Sequence, residues 1–151
     1  MKKTILMLTV LILLAASAVM PVAGAVADEV NAFATLVADI QLDKAMPNVD
    51  YLQAAKPLNK GELRYVGGYR NWQIHVTVKE KTGLINDFGF SRQGSDIIDE
   101  LLPFAVAVYG KNYQAREKSP RDRGYGWGLD KFKMVNLFYQ SGYVRFGGGY
   151  L

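Results

Sequence analysis

The sequence predicts an α+β fold, in which an antiparallel sheet of four to five strands, built of hairpins, is packed on one face by helices. Three stretches support this prediction. Apolar side chains recur with helical spacing between Gly94 and Gly110. Residues 72–90 before this stretch, and residues 135–146 after it, alternate with the period of two that strands show. A helix between two hairpins is typical of a sheet with one covered face.

The first 27 residues are predicted to be a signal peptide. Lys2 and Lys3 precede an apolar run over residues 5–18, and small residues follow it. Cleavage is expected after Ala25 or Ala27, which both end acceptable small-residue sites. An uncleaved membrane anchor is the alternative, and it fits less well because the run is short for a membrane span.

The predicted mature chain, residues 28–151, has the size of a single domain. The sequence contains no cysteine, which excludes disulfides, thiolate metal sites and a lipid-modified cysteine. The formal charge of +4 includes Lys2 and Lys3, so the mature chain is only weakly basic and no nucleic-acid partner is expected. We expect a periplasmic or secreted protein without a membrane span after cleavage.

The stretch between the hairpins predicts a helix that begins at Ser95 or Asp96 and ends at Gly110. Acidic residues in its first turn oppose the positive end of the helix dipole. Pro103 lies on its polar side, where it either bends the helix around the sheet or breaks it in two. The apolar face of this helix comprises Ile97, Ile98, Leu101, Leu102, Phe104, Ala105, Val108 and Tyr109.

Two more helices are predicted before the first hairpin. Residues 28–44 repeat apolar side chains at intervals of three and four, and Pro47 ends this helix. Asn48 or Asp50 can cap a short second helix that continues through Lys56. We interpret them as packing helices, since a helix lying on a membrane surface would need more positive charge.

The first hairpin is expected after a short strand around Leu63 and Tyr65. Apolar and polar residues alternate over residues 72–79, and Lys81-Thr82-Gly83 is a three-residue loop with Gly83 in the left-handed conformation. The cross-strand pairs that this loop predicts are Val78 with Asn86, Val76 with Phe88 and Ile74 with Phe90.

The last hairpin is predicted to turn at Ser141-Gly142, which pairs Tyr139 with Val144 and Leu137 with Phe146. Residues Lys111 to Gly124 have no apolar period and are predicted to be a long exposed loop. The second face of the hairpin is the wetter one and carries Asn136, Phe138, Gln140, Tyr143 and Arg145.

A helix, a glycine-aromatic segment and a hairpin occur over about residues 49–92 and again over residues 95–146. Few identities align, so a duplication of a helix-plus-hairpin unit is a hypothesis. This layout resembles that of small secreted proteins such as the β-lactamase inhibitor proteins and of the outer-membrane assembly lipoprotein fold. The resemblance lies in element order alone, and it transfers neither residues nor function.

No residue pattern predicts a catalytic, cofactor or metal site. His75 is the only histidine, and no partner stands at a recognisable spacing from it. Asp96, Asp99 and Glu100 share a helix face, but acidic residues in a first turn stabilise a helix without any ligand. Ser95 is explained as a helix cap rather than as a nucleophile.

The segment from Tyr109 to Trp127 is the best candidate for partner binding, because aromatic residues flank basic ones there. The alternative is a solvated loop whose aromatic residues close the edge of the core. The candidate partner-binding residues are Tyr113, Arg116, Lys118, Arg121, Arg123, Tyr125 and Trp127.

These observations predict a small, non-enzymatic binding module of the cell envelope or the extracellular space. It would engage a protein or envelope partner through the wetter face of the sheet and the predicted loop. A structural envelope protein that self-associates through a sheet edge is the first alternative. A small envelope hydrolase that uses Asp96, Asp99 or Glu100 is less favoured.

Overall fold

A computed structural model of the 151-residue chain describes residues 24–53, 56–58 and 61–151. The predicted signal peptide lies outside the described residues up to residue 23. Over the described ranges, two helices accompany one eight-stranded antiparallel sheet. The α+β class and the antiparallel sheet are confirmed, whereas the predicted four to five strands are too few.

Helix α1 spans residues 24–39 and helix α2 spans Ile98–Tyr109. The strands are β1 Lys56–Leu58, β2 Glu62–Tyr69, β3 Trp72–Lys79, β4 Ile85–Gln93, β5 Gln114–Ser119, β6 Asp122–Asp130, β7 Lys133–Gln140 and β8 Tyr143–Tyr150. Their order across the sheet is β1-β2-β3-β4-β8-β7-β6-β5.

Each helix precedes four strands that pair in succession, so the chain contains two units of the same element order. The units meet where β4 pairs with β8, with Phe90 opposite Phe146. The sequence predicted the first unit over residues 49–92, beginning with a short helix that the described residues do not contain; the helix that precedes the first four strands is α1, and each unit has four strands rather than one hairpin. A common origin of the two units remains a hypothesis.

Both helices pack on the same face of the sheet, around Phe146. The ring of Phe146 lies 5.1 Å from that of Phe33 on α1 and 6.0 Å from that of Tyr109 on α2. Phe88 and Phe90 on β4 each lie 5.7 Å from it. Truncating a buried phenylalanine to alanine costs about 3–5 kcal/mol, so these contacts form the centre of the core.

Two buried tryptophans tie strands to the helices. The indole nitrogen of Trp72 donates to the backbone oxygen of Glu29 on α1 at 3.1 Å. The indole nitrogen of Trp127 donates to the backbone oxygen of Gly110, just after α2, at 2.8 Å. Each hydrogen bond satisfies the polar atom of a large side chain that is otherwise packed among apolar atoms.

Arg92 on β4 is buried on the covered face and forms an ion pair with Glu29. Its Nη2 lies 3.0 Å from Glu29 Oε2, and the two side chains are 4% and 13% exposed. Asn71 donates a further hydrogen bond to Glu29 Oε1 at 3.3 Å. Removing one member of a buried ion pair costs about 3–5 kcal/mol, so Glu29 fixes α1 on the sheet.

The predictions for the first helices need correction. The first helix ends at residue 39, not 44, and the predicted short helix through Lys56 is wrong. Leu52 forms an isolated bridge with Gly67, and Lys56 begins β1. A Cβ on Gly67 would clash with the backbone oxygen of Tyr51, so the glycine lets this segment pair closely alongside β2.

Helix α2 begins at Ile98, slightly later than predicted, because Asp96 accepts a hydrogen bond from the Ile98 amide at 3.1 Å. It ends as predicted, where the Gly110 amide donates a hydrogen bond to the backbone oxygen of Val106 at 2.8 Å. The helix is continuous through Pro103, so the predicted alternative of a break there is wrong.

The two predicted hairpins are present in the sheet. Gly83 and Gly142 have φ angles of 69° and 84°, as their turns require. A bulge on β4 places Val78 opposite Ile85 instead of Asn86. The other predicted pairs are confirmed: Val76 with Phe88, Ile74 with Phe90, Tyr139 with Val144 and Leu137 with Phe146.

The long exposed loop predicted over residues 111–124 is wrong, because most of it belongs to strands β5 and β6. β5 is the edge strand of the second unit, and every one of its residues is exposed. A strand without a buried face shows no apolar alternation, which explains why the sequence pattern indicated a loop.

Candidate binding surface on the open face of the sheet

We call the sheet face opposite the two helices the open face. Its middle row runs through His75, Gly89, Gly147, Asn136 and Gly126, which face one another on strands β3, β4, β8, β7 and β6. The alternate residues of these strands point to the helices. The register therefore confirms that the predicted wetter side of the last hairpin belongs to the open face.

Glycines form much of the floor of the open face. A Cβ on Gly89 would lie 2.3 Å from the His75 ring, and one on Gly124 would lie 2.6 Å from the Phe138 Cβ. A Cβ on Gly147 would meet the backbone oxygen of Phe88 at 2.7 Å. These positions therefore let neighbouring side chains lie flat across the sheet and let β4 and β8 approach closely.

Two concavities lie on this face and share a boundary. One of about 710 Å³ extends over β4, β8 and β7, and one of about 350 Å³ extends over β7, β6 and β5. Met134, Asn136 and Phe138 on β7 contact both of them. Together they form one trough, and Phe138 lies where the two concavities meet.

A polar cluster occupies the end of the trough that belongs to the first unit. His75 Nε2 lies 3.4 Å from Asp87 Oδ2, and Arg64 Nη2 lies 3.8 Å from the same oxygen. Arg64 Nε also donates to the Thr77 hydroxyl at 3.4 Å. The charges at this end therefore largely balance one another. In the part of the chain that the structure describes, no group of three or more ligand-type side chains is arranged to hold a metal ion.

The end that belongs to the second unit carries cations without such partners. Arg116 and Lys118 on β5 line the smaller concavity together with one acidic residue, Asp122, and Arg145 on β8 lines the larger. The Arg145 guanidinium lies 5.4 Å from the ring of Tyr143. Within the described ranges, no carboxylate oxygen lies within 4.0 Å of these three cations. This half of the trough is therefore positive.

Two of the predicted partner-binding residues instead join β6 to the first turn of α2. Arg123 Nε lies 2.6 Å from Asp96 Oδ2, and its Nη1 lies 2.9 Å from Asp99 Oδ2. The Tyr125 hydroxyl donates to Asp99 at 2.5 Å. This hydrogen bond, together with Arg123, holds the pKa of Asp99 below its usual value, and it raises the pKa of Tyr125 to about 12.

Trp127 and Tyr113 also lie on the covered side. Trp127 is only 2% exposed, and its ring lies 5.7 Å from that of Tyr113. These aromatic residues close the edge of the core, as the alternative interpretation of this segment expected. Of the seven predicted residues, Arg116 and Lys118 line the open face, and Arg121 lies in the two-residue turn that joins β5 to β6. Their binding role stays a prediction.

The glycine floor was not predicted from the sequence, although a signal for it is present there. The run Gly124-Tyr-Gly-Trp-Gly128 alternates glycine with large aromatic residues. Because successive side chains of a strand point to opposite faces, this pattern is typical of a strand with one packed face and one face without large side chains. Gly147 and Gly149 show the same spacing of two on β8. This spacing of two was not used as a signal for a strand face in the sequence analysis.

No family model, curated protein or solved structure matches this chain. None of the described helices is long and apolar enough to cross a membrane. The function is therefore argued from the geometry of the described residues.

The glycine floor gives a testable contrast between two positions. Gly147→Ala should lower the free energy of unfolding by about 1–3 kcal/mol, because the new methyl group meets the backbone of β4. Gly128→Ala is the matched control, since no atom lies within 4 Å of its added Cβ. Urea titration measures the free energy of unfolding of both variants. Equal stability of the two would contradict the close approach of β4 and β8.

The contact of Asp99 with Tyr125 and Arg123 predicts a pH dependence. Because folding lowers the pKa of Asp99, its carboxylate stabilises the fold fully above the unfolded pKa of about 3.9 and loses this effect as pH falls below it. The stability difference between wild type and Asp99→Asn should therefore shrink from pH 7 to pH 2. Glu100→Gln, an exposed change in the same turn, should show a smaller difference at pH 7 and little change with pH. A difference that stays constant with pH would contradict the assignment.

Proposed function

We propose that this protein is an exported, non-enzymatic binding module that holds a protein partner on the open face of its sheet. One observation carries the proposal. The two helices close one face of an eight-stranded sheet, whereas the other face presents a continuous trough lined by glycine, aromatic and arginine residues.

The dimensions of the open face suit a protein partner. The eight strands have three to nine residues each and 59 in all, which at a spacing of about 4.8 Å and a rise of about 3.3 Å per residue gives a face of about 900 Å². A standard protein interface buries about 800 Å² on each partner. One face of this sheet is therefore large enough for a specific complex.

The side chains of the trough are those that protein interfaces favour. Aromatic residues, methionine and arginine are enriched at interfaces, and a few of them provide most of the binding energy. Phe138, Met134, Tyr143 and Arg145 lie together on β7 and β8. Tyr143 is 40% exposed in this structure, which leaves its ring available to a partner.

The proposed location rests on the predicted signal peptide, so the partner belongs to the cell envelope or the extracellular space. Two of the three carboxylates considered for a hydrolase, Asp96 and Asp99, are held by Arg123 and Tyr125, which gives that alternative less support. Trp127 is part of the core, so partner binding should be tested with changes on the open face rather than in the predicted loop.

Affinity capture from the organism's envelope extract tests the proposal. The double variant Tyr143→Ala/Arg145→Ala should hold at least tenfold less of a partner that the wild type captures, because it removes two exposed interface side chains. Glu100→Ala/Lys111→Ala is the matched control, since both residues are exposed outside the sheet, and it should capture as wild type does. Equal capture by the two double variants would overturn the open face as the binding surface.

Self-association through a sheet edge is the second candidate function. The backbone edge of β5 is exposed, and an unpaired edge is a template for another strand. A sizing column run over a range of concentrations tests this candidate. A dimer whose monomer–dimer equilibrium shifts in Arg116→Glu or Lys118→Glu would support it. A chain that stays monomeric at high concentration would exclude it.

A further inference from the structure

We infer that the outer edge of β5 receives an acidic, extended polypeptide segment as a ninth strand of the sheet. The inference goes beyond the proposed function, because it concerns the sheet edge and a backbone-mediated mode of binding. A partner could occupy the open face without using this edge, and the experiment below separates the two.

The two edges of the sheet differ in their capacity to pair. β1, at one edge, has three residues, and its central residue Pro57 has no amide hydrogen to donate. β5, at the other edge, has six exposed residues and no proline, and it pairs with β6 alone. An added strand would therefore find a usable row of backbone groups at β5 and not at β1.

The regular part of the edge is long enough to fix a register. Gln114 to Glu117 pair with successive residues of β6, and a bulge then leaves Lys118 without a partner residue. Bulges of this kind end the pairing of an edge strand. The incoming strand would therefore align on Gln114 to Glu117 and end near the bulge.

The charge beside this edge determines the kind of segment that fits. Arg116 and Lys118 both line the smaller concavity on the open face. Asp122 on β6 lines it too, but no carboxylate oxygen of the described residues lies within 4.0 Å of either cation, so the two cations exceed the acidic residues there. Opposite charges on facing strands stabilise a pair, and like charges destabilise it. A strand with acidic side chains on its open-face side would supply the missing counter-charges.

A second copy of this chain fits the edge less well. Antiparallel pairing of two β5 strands would bring Arg116 and Lys118 of both copies onto one face, at cross-strand distances of about 5 Å. Charged edge strands are also a known protection against such pairing. The same cations that discourage a second copy favour an acidic segment, which makes the edge selective.

The test uses two synthetic ten-residue peptides, in which threonine alternates with glutamate or with lysine. The glutamate peptide should bind at least tenfold more tightly than the lysine peptide in 20 mM salt, and 500 mM salt should weaken its binding. Hydrogen exchange of the β5 amides should slow on binding, because an added strand pairs with them. Binding that leaves exchange at residues 114–119 unchanged would overturn strand addition.

Charge reversal provides the matched comparison. Arg116→Glu/Lys118→Glu should invert the preference and favour the lysine peptide. Lys44→Glu/Lys81→Glu changes the net charge equally at exposed sites away from β5 and should keep the preference for glutamate. The inference is wrong if the two charge-reversal variants show the same preference between the peptides, or if the wild type binds both peptides equally. Tyr143→Ala/Arg145→Ala should still bind the glutamate peptide through β5, so failure of the open-face proposal is recognised separately.

Discussion

The pairing of β4 with β8 is the contact on which the rest of the structure depends, because it makes one sheet from two four-stranded units. It places Phe90 opposite Phe146, and both helices then reach Phe146 from the same side. Side chains alternate strictly between the faces of a strand, so packing one set against the helices directs the other set to the open face. The register between β4 and β8 therefore determines which residues lie on the covered face of the sheet and which lie on the open face.

The two faces are stabilised in different ways. On the covered face, large side chains satisfy their polar atoms at the helices, as Trp72 does at Glu29 and Tyr125 does at Asp99. On the open face, glycines replace side chains, and the His75 ring lies over the position that Gly89 leaves free, while the Cβ of Phe138 lies close to Gly124. The covered face therefore provides stability, whereas the open face carries cations that have no ion-pair partner among the described residues, together with exposed aromatic residues that a partner can contact.

Sequence patterns predicted those elements that have one wet and one buried face. Residues 72–79 alternate clearly, and the turns at Gly83 and Gly142 fixed the register of both hairpins apart from the bulge at Ile85. β5 could not be predicted in this way, because both of its faces are exposed. The pairing of Glu29 with Arg92 joins residues far apart in the chain, and no local pattern indicates it. The candidate site was predicted in part: the wetter face was correctly placed, but Trp127 serves the core.

Site-specific photo-crosslinking in the envelope tests the central claim, that the open face is the binding surface, most directly. A photoreactive amino acid would be placed at Gln140, which is exposed on the open face, and separately at Glu100, which is exposed on α2. If a partner binds the open face, position 140 should give a discrete crosslinked product and position 100 should give none. Crosslinking to a partner from position 100 alone would contradict it, because the partner would then lie on the helical side of the molecule.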